Sequence, residues 1–113
     1  MNETEFSQYC DDLMLAVEES IDDSGEDIDY ETSAGVLTLN IEANGSKVII
    51  SRQPAIAQIW VAAKSGGYYF NFSGLNHGKG SWVCTTTNET LGELLQRVCE
   101  EQQGGSIIFE LNN

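Results

Sequence analysis

The stretch EESIDDSGEDIDYE, Glu18 to Glu31, decides how this chain folds, because its pattern changes period halfway along. Up to Asp23 the apolar residues recur at helical spacing; beyond Ser24-Gly25 they alternate. Gly suits the left-handed position that closes a helix, so a helix is expected to stop there. Ile28 and Tyr30 then point one way and Asp27, Asp29 and Glu31 the other, the pattern of a half-buried strand with an outer carboxylate row. A helix end and a strand joined by so short a turn are expected to bring two carboxylate rows close together.

The helical half of the stretch works against its own stability. Glu18 and Asp22 are spaced i,i+4, as are Glu19 and Asp23, and each like-charge pair costs roughly 0.2–0.5 kcal/mol. Carboxylates in a last turn also face the negative end of the helix dipole, at about 0.3–1 kcal/mol each. No Lys or Arg precedes Lys47 to compensate. Local conflict of this kind points to a functional site. The bland alternative is a solvated face that keeps the chain soluble and guards an edge strand from pairing.

Outward from this stretch, Phe6, Cys10, Leu13, Val17 and Ile21 extend the helix back to about residue 3, with Asn2 and Glu5 as a capping box. Downstream, Val36 to Glu42 alternates, Asn44-Gly45 signals a type I′ hairpin, and Lys47 to Arg52 returns. The run Val48-Ile49-Ile50 is apolar on both faces, which leaves its register open. Pro54 ends that strand. Ala57 to Ala63 and Tyr68 to Phe72 are strands four and five, joined by a turn at Ser65-Gly66-Gly67. A loop from Ser73 to Ser81 carries the single histidine, His77, and a short sixth strand reaches about Thr85. Thr87 or Asn88 is expected to cap a second helix with a Leu91, Leu94, Leu95, Val98 stripe, ended by Gly104-Gly105. Ser106 to Leu111 follows as a short apolar tail. The order predicts an α+β two-layer sandwich: an antiparallel six-stranded sheet with the N- and C-terminal helices on one face, in one domain over residues 1–113.

Charge narrows the function. The net charge of −13 argues against nucleic acid, which demands a basic footprint, and against anionic membrane. Cations or a basic protein surface are the natural partners. No apolar run is long enough for a transmembrane helix, and MNETEFSQ has no signal-peptide character, so a cytoplasmic location is expected. Cys10, Cys84 and Cys99 are far apart and odd in number, and read as reduced thiols. No Ser–His–Asp or Cys–His pairing and no phosphate-binding glycine motif stands out, and the carboxylates look exposed, so no enzyme is expected.

The centre of the chain carries a more specific signal. Arg52-Gln53, then Gln58-Ile59-Trp60 after four residues, then Gly66-Gly67-Tyr68, resembles the signature of the frataxin family in its bacterial branch. The Glu18-Glu19…Asp22-Asp23 helix end, the Gly35-Val36-Leu37-Thr38 strand and the Asn44-Gly45-Ser46-Lys47 hairpin are similar to it as well. The resemblance implies the same two-layer fold and a role in iron–sulfur cluster assembly. It implies weak binding of iron (Fe2+ or Fe3+) at the acidic ridge, here Glu18, Glu19, Asp22 and Asp23 with Asp27, Asp29 and Glu31. It also implies docking of a cysteine desulfurase through Glu18, Glu19, Asp22 and Asp23, modulation of cluster formation on the scaffold protein, and a sheet-face tryptophan, here Trp60. Some positions depart from the branch. Ala57 and Tyr69 stand where bacterial members often carry histidines, Ser51 stands for Asn, and the Ser73 to Ser81 loop is longer. Secondary metal sites built on sheet histidines are therefore not expected.

Chemistry sharpens these expectations. Carboxylates are hard ligands suited to Fe, Mn, Ca and Mg. On an exposed helix face they converge poorly, so weak, multi-site, salt-sensitive binding is expected. Trp60 alternates with Ile59 and Val61 and is expected on the open sheet face; flanked by Arg52, Gln53 and Gln58 it would make a binding anchor. Trp82 is read as structural and His77 as a solvated loop residue. The leading expectation is a monomeric iron-binding regulator or adaptor of cluster assembly. The alternatives are a pure interaction module with incidental cation binding and, less favoured, a ferroxidase.

Overall fold

The computed structural model describes residues 2–42, 44–73 and 81–103. Helix α1 (Glu3–Ser24) opens on the expected box: the Glu5 N–H donates to Asn2 Oδ1 (2.8 Å) and the Asn2 N–H to Glu5 Oε1 (3.3 Å). It ends where Gly25 takes φ +70°. Six strands follow in sequence order, β1 (Ile28–Ser33), β2 (Val36–Ile41), β3 (Ser46–Gln53), β4 (Gln58–Ala63), β5 (Gly66–Ser73) and β6 (Ser81–Cys84), each antiparallel to the next. Helix α2 (Leu91–Gln103) closes the described chain.

Both helices lie on the same face of the sheet. Phe6, Cys10, Leu13, Met14, Val17 and Ile21 of α1 and Leu91, Leu94, Leu95, Val98 and Cys99 of α2 share one core with the inward row of every strand. The register that the Val48-Ile49-Ile50 run left open is settled by this core. Val48 and Ile50 are fully buried, while Ile49 stands half-buried on the open face. Trp82 is buried, edge-on to Phe6 and Phe72 at 5.8 and 5.0 Å, and Tyr9 stacks on Phe72 at 4.4 Å. Tyr9, which breaks the polar pattern of α1, is thus a partly buried lid on this aromatic cluster.

The connections differ from their sequence signals in four places. Asn44-Gly45 is not a type I′ pair: Ile41 pairs with Ser46, the Gly45 N–H bonds back to Ile41 O (2.8 Å), and of the two only Gly45 has positive φ. The two-residue turn with both φ positive is Ala34-Gly35 (+50° and +79°), between the paired Ser33 and Val36. Gly66 and Gly67 belong to β5, paired with Ala63 and Ala62, which leaves Lys64-Ser65 as the turn. The second helix starts after Thr90, not after Thr87 or Asn88. Residues 85–89 fold back on β6, with Asn88 at φ +62° and the Cys84 N–H bonded to Glu89 O (2.8 Å). Thr90 and Glu93 then form the capping box, through bonds of 3.3 and 2.9 Å. The loop around His77, Gly104-Gly105 and the apolar tail lie outside the described residues.

Candidate functional site

The end of α1 is built to hold its acids against the first strand. Ser24 Oγ donates to Ile21 O (2.7 Å) and accepts from the Glu26 N–H (3.1 Å), so the chain reverses at once after Gly25. Ile28 enters the core, which turns Tyr30 and Thr32 toward the helix by strand alternation. Tyr30 Oη donates to Asp22 Oδ2 (2.9 Å) and Thr32 Oγ1 to Glu18 Oε2 (2.7 Å). These bonds to charged acceptors offset part of the like-charge and dipole cost of that row. The bond to Asp22 also holds the Tyr30 phenol above its ordinary pKa. Glu19 and Asp23, on the outer side of the helix, are exposed, and their side chains make no hydrogen bond among the described residues.

The second row lies elsewhere. With Ile28, Tyr30 and Thr32 facing the helix, Asp29 and Glu31 project from the opposite face of β1, and Asp27 precedes them in the same alternation. The expected convergence of the two rows is therefore corrected: β1 stands between them, because α1 covers the apolar side of the strand whose polar side carries the acids. The strand row has a member that the sequence reading left out, Glu42. Its backbone N–H bonds to Asp27 O (3.1 Å), and the nearby Asp29, by hydrogen bonding and by charge, holds the Glu42 carboxyl above its usual pKa. Among the described residues no group of three or more His, Cys, Asp or Glu side chains is gathered to hold a metal ion.

The open sheet face carries Trp60, half-buried, with Ser51 and Tyr69 directly across on the neighbouring strands. The Trp60 and Tyr69 rings are 6.4 Å apart, and a Cβ on Gly67 would come within 3.0 Å of Trp60 Nε1, so this glycine makes room for the indole. Gln58 (Nε2 to Asn71 Oδ1, 2.8 Å) and Gln53 (Nε2 to Ser51 Oγ, 3.2 Å) flank it. Arg52 does not. It points to the helix side, pairing with Asp11 (2.8 Å) and touching Met14 Sδ (3.4 Å), with its aliphatic stem against Gly35. The sequence grouped Arg52 with Gln53 by adjacency; in a strand adjacent residues face opposite ways. Arg52 is a tie between β3 and α1, not part of the Trp60 surface.

The three thiols are buried and free. Burial pushes Cys10 up to about 11 and Cys99 up to about 12. At Cys84 burial also opposes ionisation, but hydrogen bonds from Thr86 and Thr87 outweigh it and lower the pKa. Among the described residues no helix is long and apolar enough to cross a membrane.

Comparison with known proteins agrees with this architecture. Residues 1–105 match the family model described as a frataxin-like domain. The chain is 44% identical, over 97% of its length and 96% of the relative's, to the iron-sulfur cluster assembly protein CyaY of Ectopseudomonas mendocina. It is 43% identical to the protein of the same name from Azotobacter vinelandii, over 96% of each chain. The structure of the frataxin from Psychromonas ingrahamii superposes with a TM-score of 0.86 at 32% identity, covering 97% of this chain and 99% of that one.

Proposed function

The chain belongs to the frataxin-like family, and from that membership we propose that it acts in iron–sulfur cluster assembly as a regulator or adaptor that binds iron weakly on its acidic edge. The same edge docks a cysteine desulfurase, and the scaffold protein is the second partner. The observation that carries this reading is the α1 end itself. Four carboxylates, Glu18, Glu19, Asp22 and Asp23, crowd a helix terminus whose last turn holds no basic residue, and Tyr30 and Thr32 fasten two of them in place. A cation meeting such a surface keeps most of its waters, which suits a metal that must be passed on and ill suits a closed catalytic centre. A basic partner patch is steered to the same field, with a salt-sensitive association rate.

A specific observation favours a second reading. The rows on the two sides of β1 do not converge, which is what a docking surface with incidental cation binding would look like. An anaerobic Fe2+ titration followed by amide NMR, with Mg2+ as the control cation, separates the two. Broadening of residues 18–31 at Fe2+ concentrations well below those of Mg2+ needed for a comparable shift supports the metal role. Equal sensitivity to both cations leaves the docking role alone. Substituting Glu18, Glu19, Asp22 and Asp23 with their amides should weaken desulfurase binding in either case, and unchanged binding would remove the acidic edge from both readings. Trp60→Ala tests whether the open face adds an anchor: partner affinity should fall without loss of fold.

A further inference from the structure

The hairpin at Asn44-Gly45 has a chemistry that neither the fold nor the acidic edge uses. An asparagine followed by glycine can cyclise. The Gly45 backbone nitrogen, after losing its proton to solvent, attacks Asn44 Cγ, and the side-chain nitrogen leaves as ammonia. Water then opens the resulting succinimide at either carbonyl, giving an aspartyl or isoaspartyl residue at position 44. No oxidant or cofactor takes part; the net change is NH2 replaced by OH and a gained negative charge. Gly at the second position favours the reaction because no Cβ hinders the approach.

The structure engages the attacking nitrogen and both polar atoms of the Asn44 amide in other bonds. The attacking Gly45 N–H is spent on Ile41 O at 2.8 Å. Asn44 Oδ1 accepts from the Ser46 N–H (2.9 Å), and Asn44 Nδ2 donates to Gln102 O in the last turn of α2. Gln102 is buried and fastens the same hairpin through its side chain, Nε2 donating to Ser46 Oγ (3.0 Å) and Lys47 O (3.3 Å) while Oε1 accepts from the Lys64 N–H (2.9 Å). We propose that Asn44 is a spontaneous deamidation site held in check by this Gln102 latch, so that its conversion records opening of the hairpin from α2. The product would not relatch. An aspartyl side chain has no hydrogen to donate to Gln102 O, and its charge faces the negative end of the α2 dipole. The new charge also falls on the turn whose Glu42 N–H bonds to Asp27 O, next to the strand row of acids.

The test is to age the full chain at neutral pH and 37 °C and to map position 44 by peptide mass analysis that separates aspartyl from isoaspartyl products. Chain unfolded in urea should convert fastest and the folded chain slowest. Gln102→Ala, with its fold checked by circular dichroism, loses two side-chain bonds to the hairpin and should convert at least about fivefold faster than the folded parent, the ratio that one net hydrogen bond of opening free energy already gives. Should Gln102→Ala fail to fold, Ser46→Ala removes one latch contact and should accelerate conversion in the same sense. Equal rates in the folded parent and the folded latch variant would overturn the proposal, as would conversion at other asparagines while position 44 stays intact.

Discussion

Neutralising Glu19 and Asp23 together should stabilise the isolated fold, and the size of the gain can be worked from their placement. Both are exposed on the outer side of α1, one turn apart, near its C-terminus. Their mutual repulsion costs roughly 0.2–0.5 kcal/mol. Asp23 lies in the last turn and adds about 0.3–1 kcal/mol against the dipole, whereas Glu19 is a turn too early to feel much of it. The Glu19→Gln/Asp23→Asn variant should therefore gain about 0.5–1.5 kcal/mol, a rise in melting temperature of roughly 2–6 °C for a domain of this size. The inner pair gives the contrast. Glu18→Gln/Asp22→Asn relieves the same kind of repulsion but weakens two bonds that now end on charged oxygens. Its net change should stay within about 0.5 kcal/mol, because the gain and the loss are of similar size. Thermal unfolding followed by circular dichroism in low salt measures both. The outer-pair gain should shrink as the Debye length falls from about 30 Å at 0.01 M to about 3 Å at 1 M salt. A lower melting temperature for the outer-pair variant, or the same rise for both pairs, would refute the account of this helix end.

Three other outcomes follow from the fold. Ala34 holds φ +50° in the β1–β2 turn, where a non-glycine residue costs about 1–2 kcal/mol; Ala34→Asn, better suited to that region, should add roughly 0.5–1 kcal/mol of stability, read as a higher urea midpoint. Trp82→Ala removes the ring between Phe6 and Phe72 and should cost about 3–5 kcal/mol, read as a large drop in urea midpoint with little change in slope. Glu89 is held below the ordinary carboxylate range chiefly by its hydrogen bond from Arg97 (Nη2 to Oε1, 2.9 Å). A depressed pKa contributes stability above the unfolded value of about 4.3, lost as pH falls through the lower folded value. Because Arg97 is partly solvent-exposed, Glu89→Gln should cost only about 0.5–1 kcal/mol at pH 7. That deficit should vanish in acid, as stability curves measured against pH would record.

Part of this protein can be read without coordinates. The helix limits follow from Asn2, Glu5 and Gly25 because capping is chemistry between near neighbours. The strands follow from alternation, and the two one-faced helices leave the sheet one face to cover. The acids of Glu18 to Asp23 stand out by their conflict with the helix dipole, which is again local. Trp60 falls on the open face by the same period-two argument.

What separates in space was beyond that reach. Whether Val48 or Ile49 enters the core depends on which residues of β2 and β4 lie across from them, a pairing that no single strand encodes. Alternation alone puts Arg52 on the face opposite Trp60, but that it meets Asp11, far away in the chain, at 2.8 Å is decided by packing. Glu42 joined the acid row, and Gln102 came to bridge two hairpins, for the same reason. The two carboxylate rows were adjacent in sequence yet ended on opposite sides of β1, because the helix must cover the apolar side of the strand while the acids occupy the other. Periodicity and capping act over a few residues and were legible; side-chain partnership is set by packing between distant segments, and only the folded chain decides it.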